Sequence, residues 1–463
     1  MTPTAAPLRH GPATVEDVTR RSDPARASSG EGAPLTVLVA STPITAHTLN
    51  ATPIVRGLHE AGARIIWYAH PPVEQHAARW AEFVPLPLET MVPAPGEATE
   101  TQPGRRTFGV PDPLVEVRRM YRDDVVGTAR RHVDELLGII ETHGVDLVVS
   151  DTLMLGAGIA AEITGVPWAT FGDGPLQWPS PDLPPFGTGL PVMAGRAGRH
   201  RNRHVKHAVD VALFRGALRD LNRLRRDHGL WPVADLLTAG VSREAHLQGC
   251  TPSFEYPRPE LPEFIHFVGA LGPGSGFAPR TPQPLRRENR SRPLAFVTQG
   301  TMRPDHGELV EPASRALSAE GYEVLVAGMP AVERPGVYSV PAVDYADALA
   351  EADVFVTNGG YTGVTLALAA GTPVVQCGAT EEKPDIGARL VACGAGESIR
   401  LTSPPAWVLR RAVRRVTTDP SRRLAQARLA ADFAAHDTDH LIRNALLAQV
   451  GTPASPSMDR LHR

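Results

Sequence analysis

The stretch Asp353-Val-Phe-Val-Thr-Asn-Gly-Gly-Tyr-Thr-Gly-Val-Thr-Leu-Ala-Leu-Ala-Ala-Gly-Thr-Pro-Val-Val375 decides the fold of this chain. Its apolar, β-branched run 353–357 predicts a buried strand, and the Ala-rich segment after the glycines predicts a helix. A second apolar run, 373–376, predicts another strand. Two strands joined through a helix require a crossover connection, which is typical of a parallel sheet.

The same alternation of strand and helix extends in both directions along the chain. Further strands are predicted at 35–40, 64–69, 145–150, 294–299 and 322–327, and helices at 53–62, 113–143, 156–164 and 308–320. A segment rich in Gly and Pro, 272–284, separates two such series. We therefore expect an α/β protein with two Rossmann-like, doubly wound domains that face each other across a cleft.

The predicted boundaries follow from these shifts in composition. They give a disordered tail at 1–33, a first domain at 34–271 and a linker at 272–291. A second domain follows at 292–430, and a final helix with its own tail at 431–463. The tail 1–33 is polar and rich in Pro, Ala, Ser, Gly and Arg, and it lacks the apolar core of a secretory signal. A loop is predicted at 87–111, where Pro, Gly and Thr are frequent.

Composition excludes several classes of function. The 463 residues carry 47 Lys+Arg against 50 Asp+Glu, a net charge of −3, which argues against a nucleic-acid-binding protein. Hydrophobic residues make up 42%, which excludes a disordered chain. The 3 cysteines, Cys250, Cys377 and Cys393, are too scattered for a disulfide scaffold or a thiolate metal site. With no apolar run long enough to span a membrane, these features predict a cytoplasmic protein.

Two polar residues follow predicted strands of the first domain. His47 lies in a polar loop predicted at 41–50, after strand 35–40, and Asp151 directly follows strand 145–150. Ligands of doubly wound sheets bind beyond the carboxyl ends of the strands, so both residues should face the cleft. His47 could act as a general base that Asp151 orients. Alternatively, His47 makes only a polar contact and Asp151 caps the following helix.

The glycine-rich turn of the second domain has the form of a phosphate site. Gly359 and Gly360 let the backbone approach a ligand, and the helix N-terminus favours an anion. Gly300-Thr301 follows another strand and offers further backbone donors. Neither a dinucleotide fingerprint nor a P-loop lysine motif is present, so the turn predicts a diphosphate site of another kind.

The quoted stretch, continued by 381–390 and 393–396, resembles the donor signature of the family 1 glycosyltransferases of the GT-B fold. That family includes macrolide and other natural-product glycosyltransferases as well as UDP-glycosyltransferases. The segment 41–68 also fits, and the similarity extends from about residue 34 to about residue 450. It implies an inverting sugar transfer from a nucleoside-diphosphate sugar to a hydroxyl, without metal or cofactor. It also implies that His47 is the base and Asp151 its partner.

The same resemblance implies a donor site, from which this chain departs in places. Asn358 stands where the family usually has a diphosphate-contacting His, and Gly363 where it has a phosphate-binding Ser or Thr. The Gly363 backbone or the Thr362 hydroxyl is expected to replace that group. Leu366 stands where UDP-sugar enzymes grip the ribose with Glu, which favours a dTDP-sugar over a UDP-sugar, although a leucine there could also serve packing alone.

Other roles are implied by position in the family. Glu382 and Lys383 replace an Asp-Gln pair that contacts the sugar, and Val343 is placed against the nucleotide base. The first domain would bind the acceptor and the second the nucleotide sugar, while a helix at 421–450 returns to the first domain. Loops 70–110 and 172–205 would hold the acceptor. Their aromatic residues suit a flat apolar aglycone or simply pin the loops: Trp80, Phe83, Trp178 and Phe186.

Four functions remain open at this point. The composition, rich in Ala, Arg, Pro and Gly, favours a GC-rich bacterium and an enzyme of natural-product or antibiotic biosynthesis that modifies a small hydroxylated acceptor. A GT-B epimerase or hydrolase would act on the nucleotide sugar alone. A non-catalytic auxiliary protein would activate a partner glycosyltransferase. A glycolipid glycosyltransferase would touch the membrane surface through the basic cluster 196–203, which otherwise is a solvated loop. Oligomeric state is left open by the sequence.

Overall fold

The computed structural model describes residues 34–87, 113–274, 277–300, 306–330 and 332–450. The predicted tail 1–33, nearly all of the predicted loop 87–111, Thr301 and the final residues 451–463 lie outside the described residues. Within the described ranges, no helix is both long and apolar enough to cross a bilayer.

The N-terminal half is built on a seven-stranded parallel sheet with the order β3-β2-β1-β4-β5-β6-β7. Its strands are β1 Thr36–Ala40, β2 Arg64–Ala69, β3 Glu82–Pro85, β4 Leu147–Asp151, β5 Trp168–Gly172, β6 Ala245–Gln248 and β7 Ile265–Phe267.

Helices cover this sheet. They are α1 Thr45–Asn50, α2 Thr52–Glu60, α3 Glu74–Ala77, α4 Pro113–Arg119, α5 Gly127–His143, α6 Leu155–Thr164, α7 Gly195–Val209 and α8 Arg215–Asp227. A π-helical stretch, Met120–Val126, joins α4 to α5, and another, Asp210–Phe214, joins α7 to α8.

The C-terminal half repeats this design with a second seven-stranded sheet, in the order β10-β11-β9-β8-β12-β13-β14. All neighbours are parallel except β10 and β11. The strands are β8 Leu294–Thr298, β9 Glu323–Ala327, β10 Val332–Arg334, β11 Val337–Val340, β12 Val354–Thr357, β13 Val374–Cys377 and β14 Gly396–Ile399. The helices are α9 Val310–Ala319, α10 Tyr345–Glu351, α11 Tyr361–Ala370, α12 Lys383–Ala392, α13 Ala406–Thr418, α14 Pro420–Ala435 and α15 Thr438–Leu447.

Each sheet is buried on both faces, which is why its strands are continuous apolar runs rather than alternating ones. In β1, Val37 and Val39 pack into one apolar cluster while Leu38 and Ala40 pack into another. Strand β8 divides its side chains between two clusters in the same way. The predicted two-sheet α/β architecture is therefore confirmed.

Three local predictions were wrong. The predicted loop after β1 contains helix α1, and the basic cluster 196–203 lies on helix α7 rather than in a loop. The predicted helix 421–450 is two helices, because the Asp437 side chain accepts a hydrogen bond from the His440 backbone N–H and starts a new helix there.

Helix α15 returns to the N-terminal half. It packs against α2, and its Ile442 and Leu446 side chains are fully buried in the same apolar cluster as Val37. The last described helix of the chain thus stabilises the first half of the fold.

We expect Leu446→Ala to lower the free energy of unfolding by about 2–5 kcal/mol, because it leaves a cavity in a packed core. Urea unfolding measures this loss. The neighbouring Leu447 is 41% exposed, so Leu447→Ala is the matched control and should change stability far less. Equal losses in the two variants would show that α15 is not docked as described.

Candidate functional site

Three polar side chains converge where neighbouring strands of the first sheet end. His47 lies on α1, the first helix after β1; Asp151 is the last residue of β4; and Asp173 is the first residue after β5. Strands β1, β4 and β5 are adjacent in the sheet, so their carboxyl ends bring these side chains to one place.

The carboxylate in contact with His47 belongs to Asp173. The Nδ1 atom of His47 lies 2.9 Å from Asp173 Oδ2, with the side chains 22% and 3% exposed. The contact is an ion pair at close range, since Nδ1 makes no well-aligned hydrogen bond. Asp173 therefore occupies Nδ1 and leaves the other ring nitrogen, Nε2, for a substrate.

Asp151, the predicted partner of His47, has a different set of contacts. Its carboxylate accepts hydrogen bonds from the backbone N–H and the hydroxyl of Thr42 and from the backbone N–H groups of Leu153 and Met154. These bonds hold the turn before α6, whose N-cap residue is Met154 without a side-chain cap, so Asp151 stabilises that turn rather than capping the helix. The predicted contact is thus corrected: Asp151 acts on His47 only through its charge.

The carboxylates control the charge of His47. Burial alone would lower the pKa of this imidazole, but the charges of Asp173, Asp151 and Glu382 outweigh it and raise the pKa to about 9. Burial raises the pKa of Asp151 and of Glu382. Burial also opposes the charge of Asp173, yet His47 and the amide of Asn50 hold the pKa of that carboxyl below its usual range.

Asn50 joins this cluster to the C-terminal half. Its Nδ2 lies 3.2 Å from Asp173 Oδ2 and 2.8 Å from Thr362 Oγ1, and its Oδ1 lies 3.0 Å from the same hydroxyl. Thr362 is the second residue of α11, so it belongs to the glycine-rich turn and helix that the sequence marked as a phosphate site.

The backbone geometry at and beside that turn requires glycine at two positions. Gly359 has φ = 97°, and a Cβ there would collide with the Gln376 side chain. Gly300 has φ = 74° and lies so close to the Asn358 amide that a Cβ would be 3.2 Å from its Nδ2. Gly360 caps the N-terminus of α11. The structure thus brings Gly300, Asn358, Gly359 and Gly360 together beyond β8 and β12.

Two predicted donor residues face the protein rather than the cleft. The Val343 side chain is 4% exposed and belongs to the apolar core of the C-terminal half, so it offers no surface to a nucleotide base. Gly363 lies against aromatic rings, where a Cβ would be 3.4 Å from Phe355 and 3.7 Å from Tyr345. A Cβ at this distance would make ordinary van der Waals contact with the rings, so the packing does not require glycine at position 363.

Glu382 and Lys383 lie at the start of α12. The Lys383 ammonium is buried and pairs with the Glu381 carboxylate, and Lys383 lines the same small pocket as Asn358. Glu382 lies near enough to His47 for its charge to affect that residue. The two predicted neighbours therefore point to different parts of the cleft.

Helix α12 is also attached to the N-terminal half through a buried ion pair. Arg389 Nη2 and Nε both lie 2.8 Å from Glu255 Oε1, with exposures of 6% and 1% for the two side chains. The Asp385 carboxylate accepts from the backbone N–H groups of Gly187 and Gly189 at 2.5 and 2.6 Å. These bonds fix the segment 176–189 against α12.

A cavity of about 350 Å³ lies beneath that segment. Its lining is largely apolar and includes Trp178, Phe186, Phe214 and four prolines, with Arg203 and Asp385 at polar positions. Two of the four predicted acceptor-loop aromatics thus reach a cavity.

The other two of these aromatics, Trp80 and Phe83, pack against the core of the first sheet, which is the alternative that the sequence left open. Helix α7 contributes further residues to the cavity wall. Its basic side chains include Arg199, paired with Asp182, and Lys206, paired with Asp210 and Asp235.

Sequence reasoning missed Asp173, Asn50 and Glu255. Asp173 could have been found, because an aromatic and β-branched run, 168–172, ends directly before it, just as a strand ends at Asp151. Asn50 follows His47 by three residues, which places both on one face of a helix once α1 is recognised. No local signal marks Glu255, whose partner Arg389 is 134 residues away.

Metal ligands are not clustered in the described ranges: no group of three or more His, Cys, Asp or Glu side chains there could hold an ion. The polar groups of the cleft instead form hydrogen bonds and ion pairs with one another.

Comparison of the sequence with curated proteins finds relatives named as a demethylrebeccamycin synthase and as UDP-glycosyltransferases. The chain is 33% identical over 419 residues to 4'-demethylrebeccamycin synthase of Lentzea aerocolonigenes, covering 87% of this chain and 96% of that protein. It is 29% identical over 311 residues to UDP-glycosyltransferase 2 of Phaeomoniella chlamydospora, covering 63% and 68%. Comparison with models of protein families finds no match.

Solved structures with the same fold include the glycosyltransferase of kitacinnamycin, with a TM-score of 0.65, 20% identity and coverage of 90% of this chain and 98% of that one. The Streptomyces sp. SF2575 glycosyltransferase SsfS6, complexed with thymidine diphosphate, gives a TM-score of 0.60 at 21% identity, with coverage of 89% and 99%. At these identities the structural likeness shows the fold, which is GT-B.

We expect Asp173→Asn to lower the pKa of His47 by roughly one to three units, since it removes the nearest carboxylate charge while burial persists. Histidine NMR across pH measures this value, with His47→Gln to assign the signal. The exposed Asp182 is a control position, and Asp182→Asn should leave the His47 pKa in place. An unchanged pKa in Asp173→Asn would contradict the pairing.

Proposed function

The chain belongs to the family 1 glycosyltransferases of the GT-B fold, and from this premise we propose its reaction. It transfers a sugar with inversion from a nucleoside-diphosphate donor, dTDP- or UDP-linked, to a hydroxyl of a small natural-product acceptor. His47 acts as the general base and Asp173 orients it. The observation that carries this proposal is the ion pair between His47 Nδ1 and Asp173 at the carboxyl ends of the strands of the first sheet.

The proposed step begins at His47 Nε2, which takes the proton from the acceptor hydroxyl. The oxygen attacks the anomeric carbon, and the nucleoside diphosphate leaves from the opposite face, so that one C–O bond forms as another breaks. Asp173 stabilises the imidazolium that results. The N-terminus of α11, with Gly360 and Thr362, faces the place where negative charge develops on the leaving group.

The donor site that we propose is the turn 358–363, with Gly300 beside it. Backbone N–H groups there and the Thr362 hydroxyl can donate to phosphate oxygens. Thymidine diphosphate as the nucleotide is supported by the complex of SsfS6 and by Leu366. Leu366 is partly buried against the linker, where a Cβ on Gly272 would be 3.2 Å from it, so it presents an apolar group rather than a carboxylate.

The acceptor site that we propose is the 350 Å³ cavity under the segment 176–189. Its prolines, Trp178 and Phe186 suit a flat apolar aglycone, because aromatic faces and rigid prolines provide apolar contact with little entropy to lose. Tyr121 packs edge-on against Phe214 of the cavity wall and is close enough to Glu382 for that charge to affect its pKa. Two residues of the lining, Leu176 and Asp385, follow Asp173 and Glu382 by three positions each, so the cavity is bounded by the same two segments that reach the base.

We expect His47→Gln to reduce kcat by about 10²–10⁴-fold, the contribution of a positioned general base. Transfer from dTDP-glucose or UDP-glucose to planar phenols measures this, with dTDP binding retained. His59 is exposed on α2, so His59→Gln is the matched control and should keep full activity. A non-catalytic auxiliary protein would be indifferent to both changes.

The dependence of kcat/KM on pH provides a second test of His47 as the base, with the same His47→Gln variant. A base must be neutral, and with a His47 pKa of about 9 the protonated form dominates at neutral pH. We therefore expect kcat/KM to rise about tenfold per pH unit below this pKa and to level above it. His47→Gln should remove this slope, whereas a rate that falls as pH rises from neutral would contradict the assignment.

The identity of the donor nucleotide can be tested by measuring the melting temperature of the protein with dTDP, UDP or GDP. A ligand that binds only the folded state raises the melting temperature. We expect the largest shift with dTDP. Leu366→Glu should move the preference toward UDP by restoring a carboxylate for ribose hydroxyls. A larger shift with UDP in the unaltered protein would overturn the deoxyribose inference alone, and no shift with any nucleotide would overturn sugar transfer.

A further inference from the structure

Asn50 is the residue through which the two halves of the cleft meet at the base. Its side chain is 2% exposed and contacts Asp173 on one side and Thr362 on the other. Asn50 and Thr362 are 312 positions apart in the sequence. The chain of contacts from Thr362 through Asn50 and Asp173 to His47 therefore spans the cleft.

The amide acts on the same carboxylate oxygen that faces the base. Both Asn50 Nδ2 and His47 Nδ1 lie near Asp173 Oδ2, at 3.2 and 2.9 Å. An N–H donated to a carboxylate fixes its orientation and stabilises its charge. Loss of that donor would leave Asp173 free to turn its oxygens away from His47.

The hydroxyl of Thr362 can form either of two hydrogen bonds with the Asn50 side chain. It can accept from Nδ2 at 2.8 Å or donate to Oδ1 at 3.0 Å, and in the second arrangement Thr362 does not hold an N–H of the amide. A phosphate oxygen is a stronger acceptor than an amide oxygen, so a donor at the N-terminus of α11 would take the hydroxyl proton. Thr362 could then only accept from Nδ2.

We propose that Asn50 is a positioning residue that couples donor binding to the base. A nucleoside diphosphate on the Thr362 hydroxyl locks the amide with one N–H on Thr362 and the other on Asp173. The resulting chain runs from phosphate through Thr362 and Asn50 to Asp173, where each hydrogen bond polarises the next, and it ends in the ion pair of Asp173 with His47. This inference rests on the proposed function, because it requires the phosphate to bind at Thr362.

A double-mutant cycle of Asn50→Leu and Thr362→Val tests the coupling, with dTDP-glucose as donor and 1,2-dihydroxyanthraquinone as probe acceptor. Each single variant should lower kcat roughly 10- to 100-fold, the range for losing a hydrogen bond to a charged group. The double variant should lose no more than the worse single one, since both break the same chain. Thr362→Ser keeps the hydroxyl and should therefore lose much less kcat than Thr362→Val.

Measuring dTDP binding separates a positioning role of Asn50 from a purely structural one. Asn50→Leu should leave the dissociation constant of dTDP, measured by calorimetry, within about threefold of the original, because the change is in positioning rather than donor contact. Asn50→Ser provides a smaller change if Asn50→Leu does not fold. The inference is overturned if the fold losses in kcat of the two single variants multiply in the double variant. It is also overturned if Asn50→Leu or Asn50→Ser keeps a normal kcat. Absence of dTDP and UDP binding in the unaltered protein would instead overturn the proposed function.

Discussion

The buried ion pair between Glu255 and Arg389 is the contact on which the geometry of the cleft depends. Each charge is almost fully removed from water, so neither can remain without the other; loss of one partner from such a pair costs about 3–5 kcal/mol. The pair holds α12 against the N-terminal half, and Asp385 on the same helix fixes the loop over the cavity. Since α12 begins beside Glu382, the position of that charge relative to His47 follows from the same contact.

The electrostatics of the cleft are those of one imidazole among several carboxylates. Three acidic side chains, Asp173, Asp151 and Glu382, act on His47, and they overcome the cost of burying its charge. The protein thereby stabilises the protonated imidazole at neutral pH. It gives the acids different tasks: Asp173 contacts the ring, whereas Asp151 holds the turn into α6. A cluster of this kind is expensive to bury and marks a functional site.

The fold was predictable because buried parallel strands are continuous apolar runs, and strands such as β2 and β12 could be located from sequence alone. The position of His47 at the carboxyl end of the first sheet followed from the same rule. The contact of Asp173 with His47 was missed because β5, Trp168–Gly172, is a short run of mixed residues between Pro167 and a segment rich in Pro and Gly, which masked the strand. Asn50 was missed because α1 has only six residues and its sequence is polar. The pairing of Glu255 with Arg389 depends on how the two halves meet, which no local pattern encodes.

A crystal structure of the protein with dTDP tests most directly whether the turn 358–363 and the His47 cluster form one site. The account predicts phosphate oxygens at the N-terminus of α11, within about 3.2 Å of Thr362 Oγ1, with the Asn50 amide donating to both Thr362 and Asp173. A nucleotide bound away from this helix, or a closed cleft in which His47 has turned from Asp173, would contradict it.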